Sequence, residues 1–139
     1  MKALPESENS LVIRTDFSDD KVWHEVREQL AAPVGDFRAY VDFVETRDYD
    51  GLTIEKLLEL VPEGADRSFI FLADRETMTN PEHSALVVDL LHERGRSFRV
   101  IPSEMWSVEN NLSLCNMDWE DFADNLDSNG VHRGFDVPQ

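Results

Sequence analysis

"SFIFLAD", residues Ser68–Asp74, decides the fold class of this chain. Five apolar side chains follow one another from Phe69 to Ala73, with no alternation between apolar and polar positions. Such a run is expected of a strand buried on both faces, and a sheet acquires two buried faces when helices cover each of them. "SLVIRTD" (Ser10–Asp16) is a shorter apolar run and reads as the first strand.

Working outward from these strands, Val22, Trp23, Val26 and Leu30 share one helical face. Ser18 is the expected cap of that helix, Asp19 and Asp20 suit its positive dipole end, and Pro33 with Gly35 stops it. "FRAYVDFVE" (Phe37–Glu45) alternates, with Phe37, Ala39, Val41 and Phe43 on one side, and predicts a half-buried strand. Asp50-Gly51 makes a turn and Thr53 caps a second helix, whose Ile54, Leu57, Leu58 and Val61 recur at helical spacing. "ALVVDLL" (Ala85–Leu91) and "SFRVI" (Ser97–Ile101) form a hairpin turning at Gly95, although residues 85–91 also admit a helical reading. Pro102 ends the last strand, and Ser103 is the expected cap of a helix carrying Met105, Val108 and Leu112. Asn116 or Asp118 then opens a final helix with Trp119, Phe122, Ala123 and Leu126 along one stripe. Strands and helices alternate in the first half. The predicted fold is therefore an α/β layered sheet, partly parallel, with an antiparallel hairpin at its edge, amphipathic helices packed on it and a C-terminal helical segment. Residues 1–139 read as one domain, with 1–9 a candidate disordered segment.

Composition narrows the function classes. Twenty-nine acids stand against thirteen bases, a formal net charge of -16. Direct binding to nucleic acid or to an anionic membrane needs clustered Lys and Arg, so the balance points instead to a basic protein partner. The longest apolar runs are far short of the roughly 20 residues of a membrane span. "MKALPESENS" (Met1–Ser10) has no apolar signal core, and the expected location is the cytoplasm. The single cysteine, Cys115, excludes an intramolecular disulfide and is expected to be a buried, inert thiol.

Candidate sites are few. Asp16 and Asp74 follow the first and third predicted strands, and carboxylates at such strand ends can share Mg2+. That is the alternative reading, a small metal-dependent enzyme or ligand-binding domain. His24, His83, His92 and His132 show no ligand spacing, and exposed or half-buried structural roles are expected of them. Phosphate loops, dinucleotide fingerprints and nucleophile elbows do not occur, and no cofactor is expected. The final predicted helix carries Glu120, Asp121, Asp124 and Asp127 opposite its apolar stripe, without a basic residue. Asp124 and Asp127 lie toward the dipole's negative end, and Glu120 with Asp124 is a like-charge pair costing about 0.2–0.5 kcal/mol. Charge placed against stability marks these four as candidate partner-binding residues.

"PSEMWSVENNLSLCNMDWEDFAD" (Pro102–Asp124) together with "LVIRTDFSDD" (Leu11–Asp20) resembles an uncharacterised family of small acidic bacterial proteins. The resemblance spans nearly the whole chain, and its most specific part is the "PSEMW…ENNL…NMD" block. It implies a bacterial, single-domain, cytoplasmic protein and supplies no catalytic residues. The leading expectation is a non-enzymatic binding protein, immunity- or inhibitor-like, whose acidic surface docks a basic partner.

Overall fold

A computed structural model describes residues 1–135 of the chain. Six strands make one sheet in the order β2-β1-β3-β4-β5-β6. β1 (Ser10–Arg14) lies parallel to both β2 (Val41–Val44) and β3 (Phe69–Ala73). β4 (Ala85–Asp89) runs antiparallel to β3 and pairs with β5 (Ser97–Val100) as a hairpin, which resolves residues 85–89 as strand. The sheet is therefore mixed, as the strand–helix alternation and the expected hairpin predict. The hairpin is not its edge, because β6 (Val131–His132) adds parallel to β5. Two residues are too few to produce a periodic signal.

Period-2 alternation sorts the strand residues onto two cores. Val12, Phe69, Phe71, Val87 and Phe98 face α1 (Asp20–Ala31), α4 (Met105–Ser113) and α5 (Trp119–Ala123), which contribute Trp23, Val26, Val108, Trp119 and Phe122. Met78 of α3 (Arg75–Thr79) joins the same core. Leu11, Ile13, Ile70, Leu72 and Val88 face the other way, onto Leu57 of α2 (Ile54–Leu60), Tyr49 and Leu52. Both faces of β3 are covered, so all five of its residues are buried. Each large side chain removed from water contributes about 2–3 kcal/mol.

Several local expectations are corrected. Asp19, not Ser18, caps α1, its Oδ1 accepting from the N–H groups of Lys21 and Val22 at 3.0 and 3.1 Å. The Ser18 hydroxyl bonds to Asp16 instead. Ser103 sits inside a 3-10 turn (Pro102–Glu104), and α4 begins without a side-chain cap. The alternating stretch from Phe37 pairs as a strand only from Val41. Gly35, at φ +60°, folds Val34 back onto Phe37, and Phe37 is left exposed. α5 stops at Ala123, so Asp124 caps it and Asp127 lies beyond it.

The hairpin turn is held by Asp89, whose buried carboxylate accepts from Leu91, His92 and Glu93 N–H at 2.9, 3.1 and 2.6 Å. Among the described residues no helix is long and apolar enough to cross a membrane.

Candidate functional site

Asp16 and Asp74 leave neighbouring parallel strands, since Arg14 and Ala73 are in register. Their carboxylates have separate partners. Asp16 accepts from the backbone N–H and hydroxyl of Ser18 at 3.2 and 3.0 Å. Asp74 caps α3 through Thr77 N–H at 3.0 Å and receives both terminal nitrogens of Arg99, which also pairs with Glu76 at 2.6 Å. Burial alone would raise the Asp74 pKa, but the hydrogen bonds from Arg99 and Thr77 and the guanidinium charge hold it below its ordinary value. Arg99 thus lies where a shared cation would contact Asp74. Among the described residues no group of three or more His, Cys, Asp or Glu side chains is placed to hold a metal ion.

The four C-terminal acids do not share a helical face. Glu120 and Asp121 lie in the first turn of α5, both exposed, and Asp121 accepts from the Asp118 N–H at 2.8 Å. Asp124, past the last turn, pairs with Arg96 at 2.8 Å. Asp127 is largely covered, its side chain 14% exposed, and accepts from Asn129 N–H, Val131 N–H and Arg133 Nε at 2.8, 3.0 and 2.7 Å. The Arg133 bond and those from Val131 and Asn129 push the Asp127 pKa down. Arg96 and Arg133 arrive from the β4–β5 hairpin and from the end of β6. A reading of one helix in isolation supplies neither partner.

Most of the arginines have partners within the chain. Arg14 bonds Asp20 at 2.8 Å, Arg27 meets Glu45 at 3.7 Å, and Arg133 also grips Glu82. Arg67 donates to the carbonyls of Ser7 and Asn9, and Arg94 to those of Leu90, Leu58 and Val61. Arg38 lies over the Tyr40 ring and Arg47 over Phe17. Glu25, Glu28, Asp36, Glu55, Glu63 and Glu120 are all exposed to solvent. Lys2, Lys21, Arg27, Arg38, Arg47, Lys56 and Arg75 are exposed as well, so the outward charge is negative because carboxylates outnumber bases at the surface.

Two further groups depart from expectation. His132 is fully buried between Phe122 and Phe135, at ring distances of 5.0 and 4.8 Å, and neither of its ring nitrogens has a hydrogen-bond partner among the described residues. Burial lowers its pKa to about 4. Cys115 is exposed rather than buried, because α4 ends two residues earlier and the backbone turns at φ +56°.

No curated protein matches the chain. The family model that matches it covers residues 9–135, nearly the whole chain, and by that match the protein belongs to the family described as a domain of unknown function, DUF6924.

Proposed function

We propose that this chain is a non-enzymatic binding protein whose acidic surface docks a basic protein partner, in the manner of an immunity or inhibitor protein of the bacterial cytoplasm. One observation carries the reading. Nine of the ten arginines already meet carboxylates, carbonyls or rings of their own chain, while exposed carboxylates far outnumber the bases, so the net charge of -16 faces a partner as an excess of acids. Such a field raises association rates and selects against acidic partners more than it adds affinity. Glu120 and Asp121 belong to the docking surface, with Asp124 and its Arg96 partner beside them. Asp127 supports that surface from below by holding the turn to β6.

The test is calorimetric titration of the full chain with a peptide of alternating lysine and serine, repeated as salt is raised. Binding should weaken steeply with salt, since exposed charges are screened within about 10 Å at 0.1 M. Glu120→Gln with Asp121→Asn keeps the Asp118 N–H acceptor and should flatten that dependence. Absent binding at low salt, or binding indifferent to salt, refutes the reading.

A further inference from the structure

Trp106, Glu109 and Asn110 come from the "PSEMWSVENNL" block and build a surface that neither core requires. The Trp106 indole stacks on Phe37, centroids 4.5 Å apart and planes 19° from parallel, while Phe37 remains 52% exposed. Val34 and Phe37 exchange two backbone hydrogen bonds, at 2.8 and 3.1 Å, across the turn at Gly35. Val34 is also exposed, and so is Tyr40 with the Arg38 guanidinium 4.7 Å from its ring centre.

The turn is pinned from beneath. Glu109 is 3% exposed, and its carboxylate accepts from Tyr40 N–H at 2.8 Å and from the Ser10 hydroxyl at 2.9 Å. The neighbouring Asn110 amide donates to the Arg38 carbonyl at 2.9 Å. Burying a carboxylate among neutral donors costs stability unless its hydrogen bonds are kept. Here those bonds hold a turn that keeps large apolar side chains in water, the opposite of what burial alone favours. Tryptophan, tyrosine and arginine gathered on one patch are the side chains that dominate binding at protein interfaces.

A groove of about 940 Å³ opens beside the patch, between the N-terminal segment and the loop before β3. Ser10 and Ser113, both bonded to Glu109, line it and join it to the aromatic turn. Glu6, Glu8 and Asp66 also line it. Its one arginine, Arg67, is turned onto the Ser7 and Asn9 carbonyls at 3.1 and 3.2 Å. The charge open to a ligand is negative.

We infer that the Val34–Tyr40 turn with Trp106, and the acidic groove beside it, form the docking face for a basic protein segment. The aromatic side chains take its apolar groups, and Glu6, Glu8 and Asp66 take its lysines or arginines. A second copy of this chain is a poor occupant, because two bodies of charge -16 repel. The inference rests on the basic-partner reading above.

The test titrates the full, 15N-labelled chain with a peptide of alternating lysine and leucine about ten residues long, a strand's length, with a glutamate–leucine peptide as control. Amide shifts are expected over residues 3–10, 34–40 and 106–113 with the basic peptide only. Phe37→Ser combined with Tyr40→Ser should weaken binding about tenfold or more, a loss readily separated from fold stability because both residues are exposed. Glu6→Gln, Glu8→Gln and Asp66→Asn together should weaken it and flatten its salt dependence. Shifts confined to residues 118–127 would overturn this docking face while leaving the acidic-surface reading standing. No binding by a correctly folded chain would overturn both. A concentration-dependent dimer in ultracentrifugation that Phe37→Ser dissolves would overturn the choice of occupant.

Discussion

Arg99 holds both carboxylate oxygens of Asp74, with Nη1 3.1 Å from Oδ1 and Nη2 2.6 Å from Oδ2. Oδ1 also accepts from the backbone of Thr77, so one side chain joins the end of β3, the start of α3 and the middle of β5. Asp74→Ala removes the cap and leaves Arg99, only 14% exposed, with Glu76 as its one carboxylate partner. A loss of about 2–3 kcal/mol in urea unfolding is expected. Asp74→Asn keeps an acceptor for Thr77 and should lose less. The folded pKa is depressed, so the ionised group's contribution is present above its unfolded value near 3.8 and disappears as pH falls through the folded value. Stability of the Asn variant should therefore fall less steeply below pH 4. Calorimetric titration with Mg2+ should give the same trace for parent and Asn variant, because Arg99 already occupies the carboxylate.

His132 sets the pH dependence in a different window. Its folded pKa of about 4 lies below the ordinary 6.5, so the unfolded chain takes up the proton first. The contribution of the neutral ring is complete above pH 6.5 and is lost as pH falls toward 4. Between pH 7 and pH 5 the loss should be about 2 kcal/mol, and about 3 kcal/mol by pH 4. His132→Phe removes a buried ring whose two nitrogens lack partners among the described residues and retains the contacts with Phe122 and Phe135. The variant should match or exceed the parent at pH 7 and show a flatter profile between pH 5 and 7. An unchanged slope would mean that another group titrates there.

The parts of this fold legible in the sequence are those set by local periodicity. The apolar run Phe69–Ala73, the spacing of Trp23, Val26 and Leu30, and Gly95 between two strands each report a structure formed by neighbours in the chain. What escaped depends on local turns that override periodicity and on distant partners. Phe37 continues the alternation of β2 in the sequence, but the turn at Gly35 satisfies its backbone first. Leu126 extends the helical stripe of Trp119 and Phe122, yet α5 ends at Ala123 and the chain turns around Asp127 to deliver β6. The acidic helix read from composition alone omits Arg96 and Arg133, which come from other elements. Glu109, between Val108 and Asn110, carries no sign in the sequence that its carboxylate is buried.

Asp124 and Asp127 are consequently not equivalent. Asp124 meets Arg96 in an exposed pair with side chains 57% and 35% accessible, and Asp124→Lys should leave the melting temperature within error. Asp127 carries two backbone N–H groups and one guanidinium nitrogen. Asp127→Ala should destabilise by about 1–2 kcal/mol, and its Asn analogue by less, as measured by chemical unfolding. Equal effects at the two positions would contradict this division of roles.

Glu109 offers the sharpest separation of local from global effects. Its carboxylate serves Tyr40 N–H, the Ser10 hydroxyl and the Asn110 amide, the last at 3.1 Å, from a buried position on α4. Glu109→Ala leaves the first two of these without their acceptor at buried and part-buried positions, and each such group costs about 1–3 kcal/mol when it stays out of water. Some of that cost is relieved if the Val34–Tyr40 turn lifts and lets solvent reach them. A net global loss of about 2–3 kcal/mol is therefore expected, with a larger local signature. Amide hydrogen exchange at Tyr40 should accelerate more than at Val12 or Phe71, which lie in the centre of the sheet. The Phe37–Trp106 stack should loosen with the turn, moving the Trp106 emission toward that of a solvated indole. Glu109→Gln retains one carbonyl acceptor and should fall between parent and Ala variant on both measures. If exchange at Tyr40 changes no more than at the sheet centre, the carboxylate is part of the core and does not pin the aromatic turn.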